Sequence, residues 1–332
     1  LRAASAAGAE LRGVVEFADT ALAVASSVGA RLADRVTRAA VSVAGDHTTA
    51  TDAAVRASDL DAAAVAAEAL SAVPRGDAGD LAPGVYPVVF SSRAVAQLLD
   101  ALGAAAFNGL THTEGRGALS GRLGDRIAAP AINISDSPRS ARTLPRAFDA
   151  EGVAKAALTL IQDGVARGVV HDARSAALAG VASTGHALAP GGAPSGPRPT
   201  NLVLIGGGAE GESELAAPIA RGLLVPSFAT LDLLEPGTAR VGGRTRGALL
   251  IEDGVARRPA RDVRIVDDAL RILMATEALG SHERLVLRPD GSGVVCPPLR
   301  AGGVPCWPAT CIRTTARPSR PCRGLPTTAS WR

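Results

Sequence analysis

Side chains able to do chemistry are few in this chain and widely spaced. His112, Glu114, His171, Asp172 and His186 can each bind a metal or carry a proton. A metal site needs three or four of them to converge, yet the sequence holds no HExxH and no histidines paired at helical spacing. In His112-Thr113-Glu114 the two functional residues are two apart, so on a helix they point away from each other. Structural or exposed roles are therefore expected for all five. Asp149 and Glu151 would share a face on a strand, as paired acid and base carboxylates do. Nothing in the sequence supplies them with a nucleophile or a shifted pKa, so a loop role or a partner contact is expected. Arg122 and Arg126 flank Gly124-Asp125, where their guanidiniums suit a substrate carboxylate or Asp125 itself; both readings stay open. A Ser-His-Asp triad cannot be read along a chain, because it assembles in space.

Gly206-Gly207-Gly208-Ala209-Glu210-Gly211 satisfies GxGxxG between a strand-like 201–205 and a helix-like 213–220, the layout of a dinucleotide fingerprint. Glu210 would set a negative charge where a pyrophosphate must lie, and Pro218 interrupts the helix that should face it. A glycine-rich turn is expected, and no cofactor. All four cysteines, Cys296, Cys306, Cys311 and Cys322, fall in the last 37 residues. They contain no CxxC pair and no histidine lies among them, which weakens a zinc reading.

The elements that must position these groups follow from periodicity and punctuation. Apolar pieces at 20–26, 30–36 and 38–44, broken at Gly29 and Gly45-Asp46, predict strands of a meander. Ser58-Asp59-Leu60-Asp61 opens an Ala-rich helix to about Val73 with an S-x-x-D capping pattern. Residues 74–83, rich in Pro, Gly and Asp, form a connector and a domain boundary. A buried strand at 85–90 follows, then a helix over 93–107 capped by Ser91 or Ser92. Val95, Leu98, Leu99 and Leu102 form the apolar face of that helix, and Asp100 lies on another. Ile161-Gln162-Asp163-Gly164-Val165-Ala166-Arg167 recurs as Ile251-Glu252-Asp253-Gly254-Val255-Ala256-Arg257, which predicts two similar Asp-Gly hairpins. Residues 187–199 read as a loop, 267–279 as a helix and 284–287 as the last strand.

Bulk properties narrow the class. The 332 residues suffice for two domains, and 47% hydrophobic content allows a sizeable core, but only 2% are aromatic. The core must then be built from Ala, Val, Leu and Ile. Lys155 is the only lysine, and with the Ala and Gly load this points to GC-rich coding DNA. A net charge of +3 is too small to argue for nucleic acid. No apolar run approaches the roughly 18 residues of a membrane span, and the first 30 residues lack the layout of a signal peptide. A cytoplasmic protein with no membrane partner is expected. Leu1 is not an initiator and Met274 is the only methionine, so the natural N-terminus is expected to be missing. Residues 305–332 hold both tryptophans and no acid, which predicts a disordered or aberrant tail.

Several segments, in order, carry a resemblance. They are Gly84-Val85-Tyr86-Pro87-Val88-Val89-Phe90, residues 119–127 (LSGRLGDRI), Phe148-Asp149-Ala150-Glu151-Gly152-Val153, Val170-His171-Asp172 through Ser175 with Ser183-Thr184-Gly185-His186, residues 199–203, residues 221–225 and Pro297-Pro298-Leu299-Arg300. Together they resemble the TldD/PmbA family of metallopeptidases, and within it the TldE/PmbA branch. The resemblance implies an α+β fold: a partial N-terminal α/β domain with antiparallel strands over 1–75 and a β-rich central and C-terminal domain over 84–304. It also implies a heteromeric zinc peptidase that degrades small or unfolded polypeptides through a tunnel in the assembled dimer. In the catalytic branch the helix at 98–106 carries HExxxH. Here Asp100 and Ala105 fall at the histidine positions and Ala101 at the glutamate. Cys296, the third-ligand candidate by position, sits in the closing segment and not in a cysteine motif. The resemblance therefore implies no catalytic residue and no metal ligand in this chain, with zinc held by a TldD-like partner. Arg122, Arg126 and His186 are the expected substrate-binding residues, His186 because it ends a matched motif. The competing readings are an autonomous metallopeptidase with displaced ligands among His112, His171 and His186, and a non-enzymatic peptide-binding protein on the same fold.

Overall fold

The computed structural model describes residues 11–309, apart from 28, 45–48, 72–76, 236, 262 and 289. The chain opens with an antiparallel meander of β1 (Arg12–Ala25), β2 (Arg31–Ala44) and β3 (Thr49–Ala54). Of the three short pieces expected there, the first falls in β1 and the other two join in the single long strand β2, with β3 as a further partner. Gly29, at φ +98°, makes the turn as expected. Thr37 continues the strand where a break was expected: it pairs with Asp19 across the hairpin, and its hydroxyl donates to the Val55 carbonyl at 2.9 Å. A β-branched polar residue fits a half-exposed strand well.

Helix α1 (Ala62–Ser71) packs on β2 and β3 through Val65 and Ala69. Its cap is Asp61, whose carboxylate accepts the Ala64 N–H at 2.8 Å, while the Ser58 hydroxyl turns to Asp59. The expected capping residue is thus displaced by one helical turn. Residues 72 and 73, the expected end of this helix, lie outside the described residues.

The chain continues through β4 (Gly84–Phe90), α2 (Ser92–Ala105), α3 (Gly109–Thr113), β5 (Ile134–Asp136), β6 (Leu158–Gln162), β7 (Val165–Ala166), α4 (Ala173–Ala179), β8 (Asn201–Leu204) and α5 (Glu212–Ala216). It closes through β9 (Arg221–Val225), β10 (Ser227–Leu233), β11 (Arg240–Arg246), β12 (Leu249–Glu252), β13 (Val255–Pro259), β14 (Val263–Asp268), α6 (Ala269–Met274), β15 (Thr276–Leu279), β16 (Arg284–Leu287), β17 (Gly293–Cys296) and β18 (Leu299–Pro308). A nine-stranded sheet runs β10-β11-β14-β18-β4-β9-β12-β13, with β15 beside β18. A six-stranded sheet runs β16-β17-β8-β5-β6-β7. The expected mixed α+β fold is the one observed.

The main core joins the two large sheets through α2. Leu98, Leu99 and Leu102 are fully buried among Val88, Leu223 and Ile265 of one sheet and Ile134, Leu202 and Val294 of the other. A second apolar cluster, Ala53, Leu144, Val203, Leu285 and Val295, fastens the meander to the six-stranded sheet.

Both Asp-Gly hairpins are present, as β6–β7 and β12–β13. Asp163 and Asp253 each have φ +50°, and Gly164 and Gly254 have φ +76° and +79°. Positive φ at both central residues is the type I′ turn.

The helix expected over 267–279 stops at Met274, and Thr276–Leu279 pairs with β18 instead. Residues 284–287 are a strand, but not the last one. β17 and β18 were hidden by length in one case and by Gly302, Gly303 and Pro305 in the other. The register of β18 shifts between Ala301 and Val304 in its pairing with β4, with Gly303 at φ +62°, so a bulge absorbs these residues. The tail boundary expected at 305 therefore falls inside a strand, since residues 305–308 complete β18. Residues 310–332 lie outside the described residues.

Candidate functional site

Helix α2 is the rigid element on which the implied metal positions lie. Its apolar stripe points into the core, which leaves Asp100 half-buried at the margin. The Asp100 carboxylate receives two guanidiniums: Arg198, from the 187–199 loop and its end, and Arg288, whose Nε lies 2.8 Å away. Arg288 is itself buried and donates to the Pro199 carbonyl at 2.7 Å. Burial pulls the Arg288 guanidinium below its ordinary pKa, and the Asp100 charge pulls it back up. Ala101 packs against the core and Ala105 is buried. Alanine offers no donor, and the one carboxylate is committed to two cations. These three positions do not present the donor set a zinc ion needs.

A second polar centre is fully enclosed. Asp136 at the end of β5, Lys155 and His186 meet with their side chains almost completely out of solvent. His186 Nε2 lies 3.1 Å and Lys155 Nζ 3.7 Å from Asp136 Oδ1. Asp136 Oδ2 accepts the Asn201 N–H at 2.8 Å, and the Thr184 hydroxyl sits 2.9 Å from His186 Nδ1. Burial alone would raise the Asp136 carboxyl, but His186, Lys155 and the Asn201 amide outweigh it and hold it below the usual carboxylate range. Burial likewise pulls the Lys155 ammonium down, against the attraction of Asp136. His186 is thus an interior residue that ties the 183–187 loop to β5, and not one placed to touch a substrate directly.

The other expected groups are separated. Arg122 donates weakly to the Ala118 carbonyl at 3.4 Å and Arg126 to the Asp163 carbonyl at 2.9 Å; both are exposed. Neither of these guanidinium contacts is to the Asp125 carboxylate. His171, Asp172 and Ser175 do come together, but their wiring is that of a helix cap. The Ser175 hydroxyl donates to Asp172 at 2.6 Å, and Asp172 accepts the Ser175 N–H at 2.8 Å at the start of α4. Burial lowers the His171 pKa, and the neighbouring charge of His112 lowers it further. Asp149 organises a turn, accepting N–H groups of Glu151, Val153 and Ala187. Glu151 reaches the Ala173 N–H at 2.9 Å. They occupy a loop and not the shared strand face.

The GxGxxG loop serves packing. A Cβ on Gly206 would stand 2.9 Å from the Gly280 carbonyl oxygen, and one on Gly207 2.7 Å from that of Leu279. The glycines let two backbones approach, and α5 behind them is only five residues long. Cys296 is buried, its thiol pushed up by burial and donating to the Ser92 carbonyl at 3.1 Å. Cys311 and Cys322 lie outside the described residues. Among the described residues no group of three His, Cys, Asp or Glu side chains is arranged to hold a metal, and no helix is long and apolar enough to cross a membrane.

An open cavity of about 600 Å³ lies between the meander, α1, the start of α2 and α5. Arg93, Glu212, His282, Arg284 and Glu68 line it with Leu249. None of these residues was marked by spacing or motif. Asp136, Arg198 and Arg288 were missed for the same reason. Lys155 alone carried a signal, as the single lysine of the chain.

Comparison with known proteins places these sites in context. Residues 83–305 match the family described as the PmbA/TldA metallopeptidase C-terminal domain. A metalloprotease TldD homolog from Haemophilus influenzae is 25% identical over 171 residues, which are 51% of this chain and 35% of that protein. A metalloprotease from Methanothermobacter thermautotrophicus is 27% identical over 190 residues, 57% of this chain and 41% of that protein. The matched segment thus spans well under half of either relative. The crystal structure of TldE from Thermococcus kodakarensis superposes with a TM-score of 0.78 at 21% identity, covering 89% of this chain and 68% of that one.

Proposed function

Because the chain belongs to the TldD/PmbA family of metallopeptidases, we propose that it is a TldE/PmbA-like subunit of a heteromeric zinc peptidase acting on small or unfolded polypeptides in the cytoplasm. In this reading a TldD-like partner holds the zinc, and this chain completes the chamber and helps to hold the substrate. The observation that carries it is the state of α2: Asp100 is bound by Arg198 and Arg288, and Ala101 and Ala105 stand where the resemblance implies a base and a ligand. Two guanidiniums converging on one carboxylate supply locally the positive charge that a metal would, without its Lewis acidity. The reading of a displaced metal site has less support. His171 is tied to a helix cap and His186 to Asp136.

The test is reconstitution. The purified chain, a relative carrying intact HExxxH, and their mixture are each given an unfolded polypeptide, and zinc is measured after dialysis against a weak chelator. The expected outcome is co-elution, cleavage that rises in the mixture, and zinc well below one per chain in this subunit alone. Cleavage by this chain alone with about one zinc bound would overturn the proposal.

A further inference from the structure

We propose that the cavity at the start of α2 binds the C-terminal carboxylate of a polypeptide, with Arg93 as its anchor and Arg246 as a second cation. This deepens the proposed function and rests on it.

The argument begins with an uncompensated charge. Arg93 is partly buried on the first turn of α2 and lines the cavity. Its Nη1 is shielded from solvent without a hydrogen-bond partner. Among the described residues no carboxylate pairs with it. The charged group that acts on it is Arg246, which repels it. Arg246 is exposed, next to Gly247 on the cavity wall. A partly shielded guanidinium with no carboxylate beside it is unfavourable, and a second guanidinium near it adds to the cost. An anion between them would relieve both terms.

The acids of the same cavity do not meet this need. Glu68 is paired with Arg284. Glu212 faces Ser91, and burial raises its pKa, with Glu68 adding to the rise. Ser91, the N-cap of α2, makes no side-chain hydrogen bond to the first turn. Ser91, Ser92 and Arg93 of that turn line the cavity, and the N-terminal end of a helix favours negative charge.

The surroundings select the kind of anion. Glu68, Glu210 and Glu212 line the cavity, so a dianion such as phosphate meets repulsion that a single carboxylate meets less. A guanidinium fork matches a carboxylate with two parallel hydrogen bonds. Leu224, Leu249, Val286 and Pro298 supply an apolar wall for the terminal side chain. A polypeptide end brings both features at once.

The test is fluorescence anisotropy with an N-terminally labelled hexapeptide, as the free acid and as the C-terminal amide, on the full chain. The expected result is roughly ten-fold or greater weakening on amidation. Arg93→Gln should bring the acid down to the level of the amide. Arg246→Gln, at an exposed position, should weaken the acid selectively, which keeps the test decisive if Arg93→Gln does not fold. Equal binding of acid and amide overturns the anchor while leaving the polypeptide-binding reading intact. Binding of neither overturns both. Displacement of the acid by inorganic phosphate but not by acetate would also overturn the anchor.

Discussion

Asp136 shows how a single residue couples the fold to pH. Its carboxylate is enclosed with Lys155 and His186, and its pKa is held below the ordinary 3.8. The unfolded chain therefore takes up this proton first as the pH falls. The stabilisation is fully present above the unfolded value and is lost as the pH drops through the folded one. Asp136→Asn would leave the buried Lys155 without its counter-charge, at a cost of about 3–5 kcal/mol near neutral pH. Urea unfolding of both proteins between pH 7 and pH 2 should show the gap narrowing below about pH 4. Parallel curves would mean that Asp136 does not titrate as described. The cluster was not legible beforehand: Asp136, Lys155 and His186 stand 50 residues apart from first to last, Lys155 stood out only as the single lysine, and His186 only for a role on the substrate that its burial does not favour. Asp100 was legible as a substitution, because a matched helix made its position meaningful. Its two arginine partners were not, since they come from distant loops.

Among the elements, the two Asp-Gly hairpins were the most readable, and their turns tolerate little change. The turn demands positive φ at both central positions, and each glycine also lies against a neighbouring backbone. A Cβ on Gly164 would stand 2.2 Å from the Ala128 carbonyl oxygen, and one on Gly254 2.5 Å from that of Ala217. Gly164→Ala and Gly254→Ala should each lower stability by more than the roughly 1 kcal/mol expected from the left-handed backbone alone. Thermal melts of the two variants beside Asp163→Gly, which adds no atoms, check this; a Gly164→Ala protein as stable as wild type would refute it. Helix α2 was read correctly through its apolar spacing, because burial on one face imposes that period. Its start was read correctly too, with Ser91 at the N-cap, but the Ser91 hydroxyl makes no bond to the first turn and turns to Glu212 instead. Strand β18 was missed because glycine and proline normally end strands, and a bulge is decided by the partner strand.

Over the whole molecule, the meander is held to the rest mainly by apolar contact. Leu285 of β16 packs with Ala53 of β3 and with Leu144, Val203 and Val295. The Glu68–Arg284 pair spans the same junction but is half-exposed on both sides. Leu285→Ala should destabilise by about 2–5 kcal/mol, whereas Glu68→Gln should cost no more than about 1 kcal/mol and respond to salt. Hydrogen exchange under native conditions should show the first variant releasing β1–β3 selectively. Equal effects of the two substitutions would mean the junction is electrostatic. The hairpins and the apolar helix face could be read from the linear chain, because each depends on short-range spacing and on which residues avoid water, and the ordered motifs of the linear chain carried the resemblance that implied the family and its mixed fold. The ion cluster on Asp100, the buried Asp136 centre and the cavity around Arg93 depend on which distant loops meet. That is settled by how the two sheets close over α2, and no local pattern of residues records it.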